Sequence, residues 1–304
     1  MIRRRGTRAG HCRVQAVVRL AVARAIAAAL GASLVWAGPI AAAQLRWMAA
    51  ESDVDRALAA YLTDSNIISD LLALTGRNIS LDPELQLSIG PDVDGSRRPG
   101  YTGEERRIWL PYAYFEDVVR AQAALGEADA SPGGPGDGAD GAAIDQEGRA
   151  VRDALDMLEY TLYHLLAHAL LDNASASLDR DAEAISAWLM IKGWPGGALQ
   201  WVEAARAFGR ASQRLDSPAR DYWHVHALYA RDERRHLCWA LGADPVAVEP
   251  LMDAVLNAAA RRQRCQASWY QLDARMRERL QDVLLVDAPL NAPLALRSDP
   301  GIQR

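Results

Sequence analysis

The chain has 304 residues, of which 50% are apolar and 24% are charged, and its formal net charge is −5. Such a chain can bury a large core, so it is neither a disordered tail nor a small disulfide-stapled domain. The negative net charge argues against nucleic acid as the default partner.

The first 43 residues have the composition of an export signal. They carry seven arginines and no acid, followed by an apolar run over 25–37 and the small residues of 41–43. A basic start, a short apolar run and an A-x-A site are typical of a secretory signal peptide, whereas a membrane-spanning helix needs about 20 apolar residues. We expect cleavage near Ala43, a periplasmic or secreted protein, and no membrane span afterwards; a retained anchor is the alternative.

Export changes both the charge and the expected state of the cysteines. Without residues 1–43 the chain keeps 27 basic and 39 acidic residues, a formal net charge of −12. This charge predicts a soluble protein that anionic membrane surfaces repel. Cys238 and Cys265 remain, and an oxidising compartment favours a disulfide between them. Two buried thiols are the alternative.

The segment before residue 126 mixes helix and strand patterns. Apolar residues at helical spacing predict one helix over 51–75, and a second helix is predicted over 115–125. Alternation and turn residues predict three short strands, at 78–83, 85–89 and 107–112. We therefore expect a small strand region at the start of the domain.

The rest of the chain is predicted to be helical after a flexible insert. Residues 126–148 are dominated by Gly, Pro, Asp and Ala, so little apolar surface offsets the entropy of ordering them. Stop signals and periodicity then predict helices at 151–171, 180–192, 197–212 and 217–242, another starting at 245, and a last one at 268–285. The predicted fold is α+β, with a single domain over 44–285 and a loose tail over 286–304.

Two histidines, His164 and His168, lie one turn apart in the helix predicted to be most buried. Residues i and i+4 differ by about 40° around a helix axis and about 6 Å along it, so both imidazoles point the same way and can share a zinc ion. Asp181, or alternatively Asp179 or Glu183, could supply a third, oxygen ligand from the next helix.

The residue after the first histidine weakens this prediction. Zinc peptidase helices read H-E-x-x-H, in which the Glu handles the proton of the attacking water. Leu165 stands at that position, and a leucine neither accepts nor donates a proton. On spacing alone, two helix histidines with other partners are favoured over a metal site.

The order of these features resembles a family of secreted bacterial putative metallopeptidases with a zincin-like fold, over about 78–285. Its members carry an H-E-x-G-H-A helix, an acidic segment on the next helix, a later His, and two Cys, the first followed by a Gly-x-Asp-Pro turn. The matching residues here are His164, His168, Asp179-Arg180-Asp181-Ala182, His226, Cys238, Gly242-Ala243-Asp244-Pro245 and Cys265.

The resemblance implies a mainly helical zincin-like domain with a metal pocket, in which His226 supports the ligands from behind. It does not imply peptidase activity, because Leu165 replaces the general base, and whether the protein is an enzyme stays open. His236 is expected at the surface or a helix end, and the charged run over 231–235 is expected to be solvated.

Three functions remain. The first is a degenerate metallopeptidase that binds a peptide or protein segment. The second is a zinc hydrolase with another base, for example Glu159 or Glu183. The third is a metal-free structural or partner-binding envelope protein.

Overall fold

A computed structural model describes residues 44–92, 95, 97–129, 139–171, 179–193, 196–212, 233–248, 250 and 258–285. Within these residues the chain forms four short strands near its start and nine helices. The mainly helical domain with a small N-terminal sheet confirms the predicted α+β class. Among the same residues, no helix combines the length and the apolar character that crossing a bilayer requires.

The sheet is small and mixed. Its strands are β1 (Gln44–Trp47), β2 (Gln86–Gly90), β3 (Gly100–Thr102) and β4 (Arg107–Pro111), in the spatial order β1-β2-β4-β3. β1, β2 and β4 are parallel, and β3 pairs antiparallel with β4 at one edge, with Tyr101 opposite Ile108. The strands predicted at 85–89 and 107–112 are confirmed.

Two predictions for the segment before β2 are wrong. The single helix over 51–75 is two helices, α1 (Asp53–Asp64) and α2 (Ile67–Asn78). Asn66 separates them with φ 54°, a left-handed conformation that Asn tolerates better than most residues. The strand over 78–83 does not form either, because Asn78 ends α2 and Ile79 makes only an isolated bridge with Leu284.

Seven helices complete the described chain: α3 (Tyr112–Asp129), α4 (Ala139–Leu170), α5 (Asp179–Gly193), α6 (Gly197–Ser212), α7 (Glu233–Ala243), α8 (Pro245–Val248) and α9 (Ala258–Arg279). α5 and α6 match their predicted bounds closely, whereas α9 begins ten residues earlier than the predicted 268. Parts of the insert at 126–129 and 139–148 are helical, which differs from the prediction for those residues. Residues 130–138, the helix start at 217 and the tail over 286–304 lie outside the described residues.

α4 forms the centre of the core. Every residue from Met157 to His168 is buried, and the helix packs against α3, α5 and α6. Because helical neighbours surround α4, its polar side chains must find partners inside the protein.

A disulfide links two of the last helices of the domain, α7 and α9. Cys238 on α7 and Cys265 on α9 form a disulfide with a Cα–Cα distance of 4.7 Å, which confirms the predicted pairing. Gly242, one turn after Cys238, packs directly against the backbone of Cys265.

Candidate metal centre

The two histidines of α4 converge as their spacing predicts. The side chains of His164 and His168 are 2% and 5% exposed, and their Nε2 atoms lie 3.1 Å apart. A zinc ion 2.0–2.1 Å from both nitrogens would see them at an angle of about 100°, close to tetrahedral. The pair therefore has the geometry of two ligands of one metal ion.

In this structure the pair is also hydrogen-bonded to itself. At 3.1 Å, one imidazole N–H donates to the unprotonated nitrogen of the other ring. A metal ion needs both lone pairs, so binding has to displace that proton.

Leu165 lies next to the pair and is 2% exposed. It occupies the position that holds the general-base Glu of an H-E-x-x-H helix. The leucine side chain has no polar atom, so it can neither ionise nor form a hydrogen bond. The described geometry thus keeps the two imidazoles and lacks the carboxylate next to them.

The structure shows Asp181 and Glu183 of α5 with partners other than the histidine pair. Asp181 is 42% exposed and forms an ion pair with Arg279 of α9 at 3.1 Å. Glu183 is fully buried and interacts with Arg235 and His236. Within the described residues, no three His, Cys, Asp or Glu side chains form a group that could hold a metal ion. The side chain of Asp179 and all of His226 lie outside that part of the structure.

A second buried polar cluster was missed by the sequence analysis. His236, expected at the surface or a helix end, lies in the first turn of α7 but is only 1% exposed, and its Nε2 lies 2.6 Å from Oε1 of Glu183. Arg235 donates to the other carboxylate oxygen of Glu183, so the prediction of a solvated charge run is wrong for this residue. A signal was present, because Glu183 is the one acid inside the apolar stretch 182–191 of α5.

Stacked aromatic rings connect the two histidine sites. Tyr160 stacks on His164 and on Trp201, with ring centroids 6.4 and 5.1 Å apart. Trp201 stacks on His236 at 4.9 Å, and the indole of Trp239 lies nearly parallel to the same imidazole, with ring centroids 6.0 Å apart. These five side chains, which we call the aromatic column, run from α4 across α6 to α7.

Glu159 is the other acid proposed as an alternative base. It is 3% exposed, and Gln200 of α6 donates a hydrogen bond to it. Burial, reinforced by the charge of Asp156, raises the pKa of Glu159 to about 8. Five helix positions separate it from His164, however, so the two side chains leave α4 about 140° apart. The carboxyl group therefore points to a different side of the helix.

Comparison with protein families identifies the domain. A family model with the description "Putative metallopeptidase" matches residues 47–280. The chain belongs to this family. No curated protein and no solved structure matches it.

Membership in the metallopeptidase family implies a metal ion, most often zinc in such helices. The chain fits this expectation in part, because His164 and His168 converge as two nitrogen ligands. A catalytic zinc site takes three protein ligands, and the described side chains supply no third.

Proposed function

We propose that this protein is an exported member of the metallopeptidase family that keeps the histidine pair but does not hydrolyse peptide bonds. It binds a peptide or protein segment instead. The observation that carries the proposal is Leu165, a buried leucine beside two converging imidazoles where the family has its general-base Glu. Losing a positioned general base typically lowers a rate by about 10²–10⁴-fold.

His164 and His168 are the residues that would hold zinc. When bound, zinc supplies Lewis acidity toward a carbonyl or water oxygen. What this chain adds is a buried environment in which the two rings are held in place, His164 by stacking on Tyr160. No described side chain accepts the proton that peptide hydrolysis must remove at this position.

A cavity at the end of α4 supports the binding role. It has a volume of about 220 Å³, is lined by Ala169 and Leu170 directly after His168, and lies next to the edge strand β3. Its lining is mostly apolar and includes Leu85, Tyr101 and Leu170, with Arg106 among its polar residues. Apolar cavities with few polar groups are the usual receptors for a ligand's side chain.

Restoring the carboxylate tests the loss of hydrolysis. We expect the unmodified protein to show no peptidase activity on a denatured protein substrate, with or without added zinc. Leu165→Glu should introduce zinc-dependent hydrolysis, because it places a proton acceptor beside the histidine pair. Leu165→Gln is the matched control, since its side chain has nearly the same shape and cannot take up the proton.

Hydrolysis by the unmodified protein that a chelator abolishes would contradict the proposal and favour the hydrolase with another base. Glu159 and Glu183, the two acids named as alternative bases, are then the residues to replace. Equal activity of the Glu and Gln variants would also contradict the role assigned to position 165.

Export is part of the proposal. It is supported by the basic and apolar start of the chain and by the Cys238–Cys265 disulfide, which suits an oxidising compartment. Mass spectrometry of the protein collected outside the cytoplasm should give an N-terminus near Gln44. A protein that stays in the cytoplasm with its first 43 residues attached would contradict export.

A further inference from the structure

Arginines are concentrated on the last long helix. α9 carries six arginines and two acids, although the mature chain has a formal net charge of −12. Two arginines of α9 and one of α7 form ion pairs with acids inside the domain. These internal ion pairs are Arg235–Glu183, Arg277–Asp273 and Arg279–Asp181.

Four other arginines of α7 and α9 reach the surface. Arg234 on α7 and Arg264 and Arg275 on α9 are exposed, and Arg261 is half-buried. None of these four forms an ion pair with any residue that the structure describes. We call this set the arginine face.

The disulfide holds α7 and α9 so that their exposed arginines lie near one another. Arg234 lies four residues before Cys238, and Arg261 lies four residues before Cys265. Gly242, four residues after Cys238, approaches both Cys265 and Trp269, so the helices run in the same general direction. The first turns of α7 and α9 therefore bring their positive charges to the same end of the helix pair.

Exposed apolar side chains occur on the same part of the chain. Among the described residues, the two most exposed large apolar side chains are Val246 on α8 and Tyr270 on α9, at 85% and 56%. The exposed positions of α9 also include Ala260, Ala267 and Ala274. Small side chains let a helix lie close to a flat surface, and basic residues with an interfacial aromatic are typical of helices that rest on membranes.

We propose that the arginine face docks the mature protein onto the anionic surface of a lipid bilayer. The proposal rests on the proposed export, which brings the chain to the outer side of the membrane. A flat bilayer suits this surface because three of its four arginines lie along α9, a helix about 33 Å long. Glu278 is the only acid of α9 outside the internal ion pairs.

The overall negative charge does not prevent such docking. The Debye length at 0.1 M salt is about 10 Å, so a bilayer interacts mainly with the charges that face it. The net charge of −12 then orients the protein, because other faces are repelled while the arginine face is attracted. Each arginine near an anionic surface strengthens binding by about fivefold.

Vesicle sedimentation tests the proposal. The full gene is expressed in a bacterium, and the exported, disulfide-bonded protein is mixed with vesicles of phosphatidylcholine, alone or with phosphatidylglycerol. Binding is expected only to the phosphatidylglycerol vesicles and only at low salt. Arg264→Glu/Arg275→Glu should weaken it at least about thirtyfold, the equivalent of removing two arginines.

The control variant is Arg56→Glu/Arg152→Glu, which changes the net charge equally at two exposed sites on α1 and α4. It should bind like the unmodified protein. Equal loss of binding in both variants, or no binding by the unmodified protein, overturns the docking surface. Binding to soluble polyphosphate but not to vesicles also overturns it. All of these results leave the hydrolysis test unaffected, so the two proposals can fail separately.

Discussion

Glu159 is an acidic residue within the buried part of α4. Its carboxyl group is 3% exposed, and one of its oxygens, Oε1, has no hydrogen-bond partner among the described residues. Burial is the main reason that its pKa is raised to about 8, with a smaller contribution from Asp156 and an opposing one from the Gln200 hydrogen bond. The folded protein therefore holds a neutral carboxyl group at neutral pH.

This carboxyl group makes stability depend on pH. The pKa of Glu159 is higher in the folded protein, at about 8, than its unfolded value of 4.5. Its contribution to the free energy of unfolding is therefore fully present below about pH 4.5 and is lost as the pH rises to about 8. Glu159→Gln should remove this decline and make the protein more stable than the unmodified chain above about pH 8. Urea unfolding at mildly acidic and alkaline pH measures the difference.

Glu203→Gln is the control for this prediction, because Glu203 lies on the exposed side of α6. The Glu203 variant should keep the alkaline decline of the unmodified protein. If Glu159→Gln loses stability between the two pH values as steeply as the unmodified protein, then Glu159 is not the group responsible.

At the scale of elements, Gly242 allows α7 to pack closely against α9. A Cβ atom on Gly242 would lie 2.3 Å from the carbonyl oxygen of Cys265 and 2.7 Å from Cβ of Trp269. These are backbone and near-backbone atoms, which cannot rotate away. The disulfide one turn earlier holds the helices at this separation.

Gly242→Ala should therefore destabilise the protein by about 1–3 kcal/mol or more, as overpacking a rigid contact does. Gly193→Ala is the matched control at the end of α5, because its Cβ would meet only the hydroxyl of Tyr163, at 3.9 Å. Denaturant unfolding of both variants under non-reducing conditions measures the difference. Similar stabilities for the two variants would contradict the close approach of α7 to α9.

The elements that sequence predicted well were those with clear local signals. Gly193 ends α5 as its position predicts, and β2 follows the alternation of its apolar residues. The break at Asn66 was missed because the apolar spacing continues through it, while the left-handed backbone leaves no trace in that spacing. The helical start of α4, at 139–148, was missed because the Gly-, Pro- and Asp-rich composition of the insert indicated a flexible segment.

The candidate site divides in the same way. The convergence of His164 and His168 follows from helix geometry alone and was predictable. The contact between Glu183 and His236 joins residues 53 apart in the chain, so it depends on how α5, α6 and α7 pack. The positions of possible third ligands depend on the same packing, which explains why sequence could name several acids and not choose among them.

For the whole molecule, the histidine pair links metal binding to folding. A ligand that binds only the folded chain stabilises it, by about 2.7 kcal/mol at a concentration one hundred times its dissociation constant. Because the two imidazoles of α4 converge only in the folded protein, zinc should raise the unfolding temperature, and a chelator should reverse the change. Thermal unfolding followed by circular dichroism measures it.

His164→Ala/His168→Ala should abolish the zinc effect. Magnesium is the control ion, because it prefers oxygen ligands and should leave the unfolding temperature unchanged. Absence of any zinc effect on the unmodified protein would favour the metal-free envelope protein. An equal zinc effect in the double variant would place the metal elsewhere in the molecule.

The aromatic column gives the domain an optical reporter of its own. The imidazole of His236 stacks on the indole of Trp201 and lies nearly parallel to that of Trp239. Indole emission depends on the groups that contact the ring, so the fluorescence of these two tryptophans should follow changes in the Glu183–His236 contact. Tryptophan fluorescence therefore reports on the His236 end of the aromatic column, while His164, the candidate metal ligand, lies at the other end.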